Sequence, residues 1–373
     1  MSERVVVLGV GLHPFGRHPE KSIGEMARVA ALAAMKDAGV RFTDIEAGFV
    51  GHVNQGVGAG LRTFGQVGMT GIPVTNVELA CASSSRAAML AADAISTGLY
   101  DMGMIIGVEK MERGLLSGVG GREGGYNERM GIALMPAIYA MWAQRHMHLY
   151  GTKREHWAKV SEKSHRNGAL NPNAQYQKAI GLEDILNSRM IADPITLYEC
   201  SPTTDGASAV ILASEKKARQ FTSTPVFMDT WAGATPEYHK GEAEQAEGPV
   251  EKLVHKVYEK AGIGPDDVNV AQVHDAFSPG EILLAEELGF CKTGEGGPYI
   301  WEGNTEITGR TPINTDGGLL SRGHPIGATG GAMITELTLQ LRGQAGPRQV
   351  ADPKVALMHN AGIGGVNVIA FKR

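Results

Sequence analysis

The chain has 373 residues, of which 43% are apolar and 20% charged, as is typical of a globular protein with two domains. Its formal net charge of −5 argues against a nucleic acid or an anionic membrane as the main partner. The three cysteines are widely spaced, and neither a leader pattern nor a membrane-length apolar run is present. We therefore expect a cytoplasmic protein without a disulfide framework.

The first part of the chain alternates strands and helices. Val5–Gly9 is an apolar run typical of a strand that is buried on both faces. A capping box that begins at Ser22 predicts a helix ending at Gly39. Further runs predict strands at 49–50, 74–79 and 102–108. Strands separated by helices indicate parallel pairing, with helices on both faces of the sheet.

The middle of the chain has a different character. Residues 114–125 are rich in glycine, and residues 130–220 are predicted to be mostly helical. Four histidines here are expected on solvated helix faces: His146, His148, His156 and His165. We interpret this region as an inserted loop domain that lies over one edge of the sheet.

From residue 226 onward, the order of the first part recurs. The predicted elements are a strand at 226–231, helix 249–261, strand 268–273, helix 279–288, helix 328–341 and strand 354–358. Two copies of one α/β unit, with helices of small residues at the centre, explain this order. The predicted boundaries are 1–113 with 200–220 for the first half, 114–199 for the inserted loop domain, and 221–373 for the second half.

Glycine is concentrated between Gly317 and Gly365. Because glycine costs conformational entropy, such clusters mark positive φ angles or backbone packed close to a ligand. Three histidines lie in turns or just after strands, which is where open α/β sheets place their functional groups: His274, His324 and His359.

Cys81 is predicted to follow a strand and to open a helix of small residues that runs to about Ser96. The helix dipole and the free N–H groups there favour a thiolate, which attacks carbonyl carbon. An inert buried cysteine is the alternative, and the three histidines favour the catalytic interpretation. The sequence does not match the motifs of dinucleotide-binding sites, phosphate-binding loops or metal sites. We predict covalent acyl chemistry without a metal or a permanently bound cofactor.

Four motifs in this order resemble the thiolase superfamily, and most closely its sterol-carrier-protein branch. They are Cys81-x-Ser83, His274-Asp275-Ala276-Phe277, Gly323-His324-Pro325 and the Gly-x-Gly-Gly that begins at Gly362. The resemblance implies an α/β thiolase fold, in which two similar βαβαβαββ halves pack as a five-layer αβαβα arrangement with an inserted loop domain. It also implies a homodimer that acts on acyl-CoA, with coenzyme A as co-substrate and with substrate contacts from Ser83 and Met130.

The resemblance assigns a role to each site residue. Cys81 would take the acyl group, and His324 would activate it. His274 would lie in one oxyanion hole, while the backbone N–H groups of Cys81 and Gly362 would form the other. These roles suit the cleavage of a β-ketoacyl thioester, because the reaction needs a nucleophile, donors for the oxyanion and polarisation of the departing thioester.

One departure from the family pattern concerns the proton shuttle. Most thiolases have a second cysteine before the terminal glycines, and the sterol-carrier branch has one where Ala276 stands, but both are absent here. His359 or His274 would then return the proton to the enolate carbon. Comparable two-histidine thiolases often work with a small partner that combines an OB fold and a zinc ribbon, so such a partner is implied.

The leading hypothesis is a degradative thiolase that cleaves a β-ketoacyl-CoA with CoA through an acyl-enzyme on Cys81. The alternatives are a retro-aldolase or a condensing synthase on the same scaffold, or a non-catalytic acyl-CoA-binding subunit. An aldolase does not need an acylated cysteine, so retention of Cys81 beside Gly323-His324-Pro325 favours the thiolase. The acyl chain is left open between fatty, steroid and aromatic groups.

Overall fold

The computed structural model of the protein describes residues 3–112, 134–235 and 249–373. Its strands are β1 (Val5–Leu12), β2 (Ala47–Gly51), β3 (Val74–Val77), β4 (Met102–Glu109), β5 (Met190–Ala192), β6 (Ile195–Thr196), β7 (Gly206–Ser214), β8 (Val226–Ala234), β9 (Val270–Gln272), β10 (Val355–Gly362) and β11 (Gly365–Lys372). Its α-helices are α1 (Ile23–Ala38), α2 (Ala59–Phe64), α3 (Ser83–Ser96), α4 (Met135–Tyr150), α5 (Arg154–Gly168), α6 (Leu182–Leu186), α7 (Glu215–Ala218), α8 (Pro249–Ala261), α9 (Pro279–Glu287), α10 (Gly296–Trp301), α11 (Gly318–Ser321) and α12 (Thr329–Arg342). None of the helices in these ranges combines the length and the apolar character needed to cross a bilayer.

Nine strands form one mixed sheet in the order β3-β2-β4-β7-β1-β8-β11-β10-β9. In the first half, β2 pairs in parallel with β3 and β4, and β7 pairs antiparallel with β4 and β1. The second half repeats this pattern with β9, β10, β11 and β8. Since β1 also pairs with β8, the two halves meet in a continuous sheet. The predicted α/β fold of two similar halves is confirmed.

The helices complete the layers. The central apolar cluster joins α3 and α12 to strands of both halves. Helix α1 covers the outer face of the first half, and α8 and α9 cover the outer face of the second. Strands of the first half therefore lie on one side of the paired central helices, and strands of the second half lie on the other. With the outer helices, this gives the predicted five-layer arrangement of helix, strands, central helices, strands and helix.

Small residues allow the two central helices to approach closely. A Cβ atom added at Gly330 would overlap the backbone nitrogen of Ser85, and one added at Gly331 would overlap the hydroxyl of Ser208. The Gly331 N–H also donates to the Ser84 hydroxyl at 3.0 Å. The glycines and serines at the start of these helices therefore bring together the turns that precede them.

Local signals predicted some elements well and others poorly. The Ser22 side chain accepts from the Glu25 N–H as the cap of α1, and Gly39 ends the helix with a φ of 68°, both as predicted. The expectation of helix over 130–220 is wrong at 206–214, which form β7 between β4 and β1. In the second half, the counterpart of β3 is only a single bridge between Ala271 and Ile313.

Candidate active site

Cys81 lies in a tight turn between β3 and α3. Ala80 has a φ of 44°, a strained value for a residue that carries a Cβ. The Ser83 hydroxyl holds this turn, because it accepts from the Leu79 N–H at 2.9 Å and donates to the Ala80 carbonyl at 2.6 Å. Ser83 is fully buried, so its hydroxyl shapes the turn that presents Cys81.

The His324 imidazole contacts the Cys81 sulfur, with 3.3 Å between Nε2 and Sγ. On the other side of the ring, Nδ1 lies 2.8 Å from the Thr329 hydroxyl, which donates its own hydrogen to the Pro325 carbonyl at 3.1 Å. The Thr329 oxygen must therefore accept from Nδ1–H. This places the free lone pair of Nε2 against Sγ, which is the tautomer that accepts the thiol proton.

His274 packs edge-on against His324, with 5.2 Å between the ring centroids. The Asn360 amide nitrogen lies 3.1 Å from His274 Nδ1, and the amide oxygen accepts from the Ser85 hydroxyl at 2.7 Å. Nδ1 is thus the acceptor in this pair, so Nε2 carries the ring hydrogen. The arrangement makes His274 a fixed hydrogen-bond donor beside Cys81.

Burial keeps these three side chains neutral. Burial, followed by the charge of Glu109, raises the pKa of the Cys81 thiol to about 12. Burial, followed by the charge of Arg322, lowers the pKa of His324 to about 3, and burial also holds the pKa of His274 well below its ordinary value. The expected thiolate is therefore not the resting form, because desolvation outweighs the helix N-terminus. A reaction at this sulfur would therefore require removal of the thiol proton, and His324 Nε2 is the acceptor in contact with it.

Gly362 brings the end of β10 against the Cys81 turn. A Cβ atom at this position would overlap the carbonyl oxygen of Leu79 and would lie 3.1 Å from the backbone nitrogen of Ala82. Only glycine permits this approach. The turn after β3 and the turn after β10 are thus in direct contact, as an oxyanion hole built from both would require.

A cavity of about 550 Å³ opens beside this cluster. His274, His359 and Gly362 line one end, and α4 and α9 form much of the remaining wall. His359 is 2% exposed, burial lowers its pKa to about 4, and neither ring nitrogen has a partner within the described residues. Strand alternation places His359 on the opposite face of β10 from Asn360. The structure therefore brings together Cys81, His324 and His274. His359 lies in the wall of the adjoining cavity, which His274 also lines.

The cavity wall contains residues that the sequence analysis missed. Tyr139 and Trp142 of α4 line it, and His146 pairs with Glu286 at 3.1 Å. The expected solvated position is wrong for His146 and for His165, which are both buried. Tyr139, Ala143 and His146 follow helical spacing along the buried face of α4, and that signal was available. Met130 lies outside the described residues.

The same three side chains also have the composition of a metal site. One ligand atom each from Cys81, His274 and His324 lie within 4.8 Å of one another. A sulfur with two imidazole nitrogens suits a soft divalent cation such as Zn²⁺. Hydrogen bonds orient both imidazoles, which leaves a lone pair on Nε2 of His324 and a hydrogen on Nε2 of His274.

Comparison with known families gives two matches that together cover most of the chain. Residues 5–216 match the thiolase N-terminal domain, and residues 237–369 match a domain described as thiolase C-terminal domain-like.

Several known proteins are similar to this chain over nearly its full length. An acetyl-CoA acetyltransferase of Methanothermobacter thermautotrophicus is 38% identical, with 96% of each chain covered. Sterol carrier protein 2 of Oryctolagus cuniculus is 35% identical over 99% of this chain and 71% of its own length. The benzoylsuccinyl-CoA thiolase subunit BbsB of Thauera aromatica is 35% identical, with 98% and 96% covered.

One solved structure is a close geometric match. The Ltp2-ChsH2(DUF35) aldolase superposes with a TM-score of 0.87 at 27% identity, covering 99% of this chain and 97% of that chain.

Proposed function

Because this chain belongs to the thiolase family, we propose that it is an acyltransferase that cleaves a β-ketoacyl-CoA with CoA through an acyl-enzyme on Cys81. The observation that carries the proposal is the 3.3 Å contact between Cys81 Sγ and the unprotonated Nε2 of His324. Thiolysis of simple β-ketoacyl thioesters is favourable, so the proposed direction is degradative.

In the proposed reaction, the Cys81 sulfur attacks the β-carbonyl carbon while His324 Nε2 takes the thiol proton. The backbone N–H groups of Cys81 and Gly362 hold the oxyanion that forms. When the bond between the α- and β-carbons breaks, negative charge moves to the departing thioester oxygen. His274 Nε2–H is the donor placed to stabilise it. His359 lies in the wall of the same cavity, and its ring nitrogens have no partner within the described residues.

Free coenzyme A then accepts the acyl group from Cys81 and returns the enzyme to its starting state. Coenzyme A is therefore a co-substrate in this proposal, and no permanently bound cofactor takes part. The cavity wall combines aromatic side chains with apolar ones, namely Tyr139, Trp142, Val250, Leu283 and Leu284. This lining suits a bulky acyl group.

A homodimer is part of the proposal, with β3 as its contact. Strand β3 ends the sheet order, and Thr75 and Asn76 on it are exposed. Nearby exposed apolar side chains, Leu61 and Met69, add surface that a second copy would cover. A sheet that continues across a two-fold axis would satisfy both features.

We also propose a small partner subunit, of the kind that combines an OB fold and a zinc ribbon. The similar aldolase structure contains a ChsH2(DUF35) component, and the similar BbsB protein is a thiolase subunit. Exposed Met141, Trp142 and Leu149 on α4 supply an apolar surface beside the cavity for such a partner.

A retro-aldolase is the second candidate, because the structural match to an aldolase is close and Ala276 replaces a cysteine of the family pattern. The two activities differ in their need for Cys81. Cys81→Ser should lower thiolysis by about 10³-fold or more, whereas an aldolase should keep most of its rate.

The test uses a panel of β-ketoacyl-CoAs with free CoA, and measures release of the shortened acyl-CoA with and without the small partner. Cys291→Ser is the matched control, since Cys291 packs in the apolar cluster between α8 and α9. Retention of activity in Cys81→Ser, with loss confined to other site variants, would contradict the thiolase proposal.

A further inference from the structure

Tyr139 occupies a defined place in the cavity wall. It lies on α4 with 7% of its surface exposed and lines the same cavity as His274 and His359. Its ring packs between Phe277 and Trp142, with 4.8 Å between centroids in each pair. Gly280 of α9 leaves room for this ring, since a Cβ there would lie 3.4 Å from Tyr139 Cε1. The ring is thus fixed from several sides beside the Cys81 cluster.

The phenol hydroxyl is available for chemistry. Within the described part of the chain, no residue hydrogen-bonds this hydroxyl, and the side chain that carries it lies in the cavity wall. Burial, followed by the charges of Cys81, Asp275 and Glu287, raises the pKa of Tyr139 well above its ordinary value. The side chain therefore keeps its proton at any physiological pH.

Three other groups near the site have their protons engaged, and His359, whose ring nitrogens have no partner within the described residues, is the alternative that the test below separates from Tyr139. Asn360 fixes His274 in the tautomer whose single N–H is on Nε2, and the proposed reaction uses that N–H to bind the thioester oxygen. His324 receives the proton of Cys81. Cys200 packs near Ala276, but its thiol donates to the Thr196 carbonyl at 3.3 Å. None of these three is free to protonate carbon.

We propose that Tyr139 is a catalytic acid–base residue that performs the proton transfers usually assigned to a second cysteine. This inference rests on the proposed thiolase function. In the first transfer, the phenol O–H bond breaks and a C–H bond forms at the α-carbon of the enolate that leaves as acyl-CoA. In the second, the phenolate takes the proton from the thiol of incoming CoA, and the CoA thiolate attacks the acyl–Cys81 thioester.

The proton balance closes over one turnover. His324 takes the thiol proton of Cys81 at the start and returns it when the acyl group leaves. Tyr139 gives one proton to carbon and regains one from CoA. Both transfers of Tyr139 run downhill, because an enolate carbon is more basic than a phenolate, and a thiol with a pKa of about 8.5 is more acidic than this phenol.

The test is Tyr139→Phe, which removes the hydroxyl and keeps the ring contacts. We expect thiolysis to fall by about 100-fold or more, and exchange of acyl-CoA α-hydrogens with D₂O to be lost. Alkylation of Cys81 by iodoacetamide should be unchanged, which shows that the fold and the nucleophile are intact. The matched control is Tyr258→Phe, a buried tyrosine of α8 that donates to the Leu288 carbonyl at 2.8 Å.

Exchange that continues in Tyr139→Phe at the wild-type rate would overturn the proposal, as would loss of exchange in His359→Asn with Tyr139→Phe unaffected. If the wild-type enzyme forms no acyl-enzyme, the proposed function itself fails. That result is distinct, because it appears before any variant is made.

Discussion

The two halves of the molecule share one α/β pattern, but the turn before the central helix carries a different candidate-site residue in each half. The first half places Cys81 in the turn before its central helix α3, and the second half places His324 in the turn before its central helix α12. The Cys81 turn is strained at Ala80 and held by the Ser83 hydroxyl, which fixes the backbone N–H groups that follow. The His324 turn instead uses Gly323, with a φ of 109°, and fixes the imidazole ring through Thr329.

The outer edges of the halves differ as well. The first half ends in the exposed strand β3, whereas in the second half a loop covers β9. This loop contains the buried Asp316, which pairs with Arg322 at 2.5 Å. Arg322 lies two residues before His324. The first half thus leaves its edge strand exposed, whereas in the second half a loop covers the corresponding edge and pairs with a residue close to His324.

The largest loss of activity is expected when the proposed base, His324, is removed. His324→Asn should lower thiolysis by about 10²- to 10⁴-fold, because among the described residues only His324 has a basic nitrogen in hydrogen-bonding contact with the Cys81 sulfur. Initial rates with a β-ketoacyl-CoA and CoA measure the effect. Activity close to wild type would show that the second half does not supply the base.

The pH dependence of Cys81 alkylation tests the neutral resting state. Since the pKa of the thiol is raised to about 12, the thiolate fraction below that pH should rise by about tenfold per pH unit. His324, with a pKa lowered to about 3, stays neutral across this range. The iodoacetamide rate should climb without a plateau between neutral pH and pH about 10. A plateau near neutral pH would indicate a thiolate paired with an imidazolium instead.

A substitution at Thr329 should lower the rate by less than the loss of His324. Thr329→Val keeps the shape of the side chain and removes the hydroxyl that accepts from His324 Nδ1–H. The imidazole should then lose its preferred tautomer, and kcat should fall by roughly five- to tenfold. KM should change little, because Thr329 is not among the described residues that line the cavity. Thr338→Val on the same helix, where the hydroxyl bonds the Ile334 carbonyl, is the control.

Much of the fold was predictable from local patterns. The capping box at Ser22, the glycine at the end of α1 and the small-residue central helices each have one physical interpretation, and the structure confirms them. Strand β7 was not predictable in the same way, because a short apolar run suits either a strand or a buried helix. Its pairing with β1 and β4 decides the outcome, and those partners are distant in sequence.

The candidate site was also predictable only in part, because local sequence patterns do not reveal burial or tertiary packing. Motifs indicated Cys81, His274 and His324, and the structure brings these residues together. Sequence placed the thiol near a helix N-terminus but gave no information on burial, so the expected thiolate was wrong for the resting state. Tyr139 carries no motif, and only the tertiary packing of α4 and α9 around the cavity makes it a lining residue.

The most direct test of the central claim is the mass of the intact protein after brief exposure to an acyl-CoA. The account predicts a covalent adduct equal to one acyl group on Cys81, which disappears when free CoA is added and never forms in Cys81→Ser. A protein that binds acyl-CoA without gaining mass, or an adduct that persists in Cys81→Ser, would contradict it.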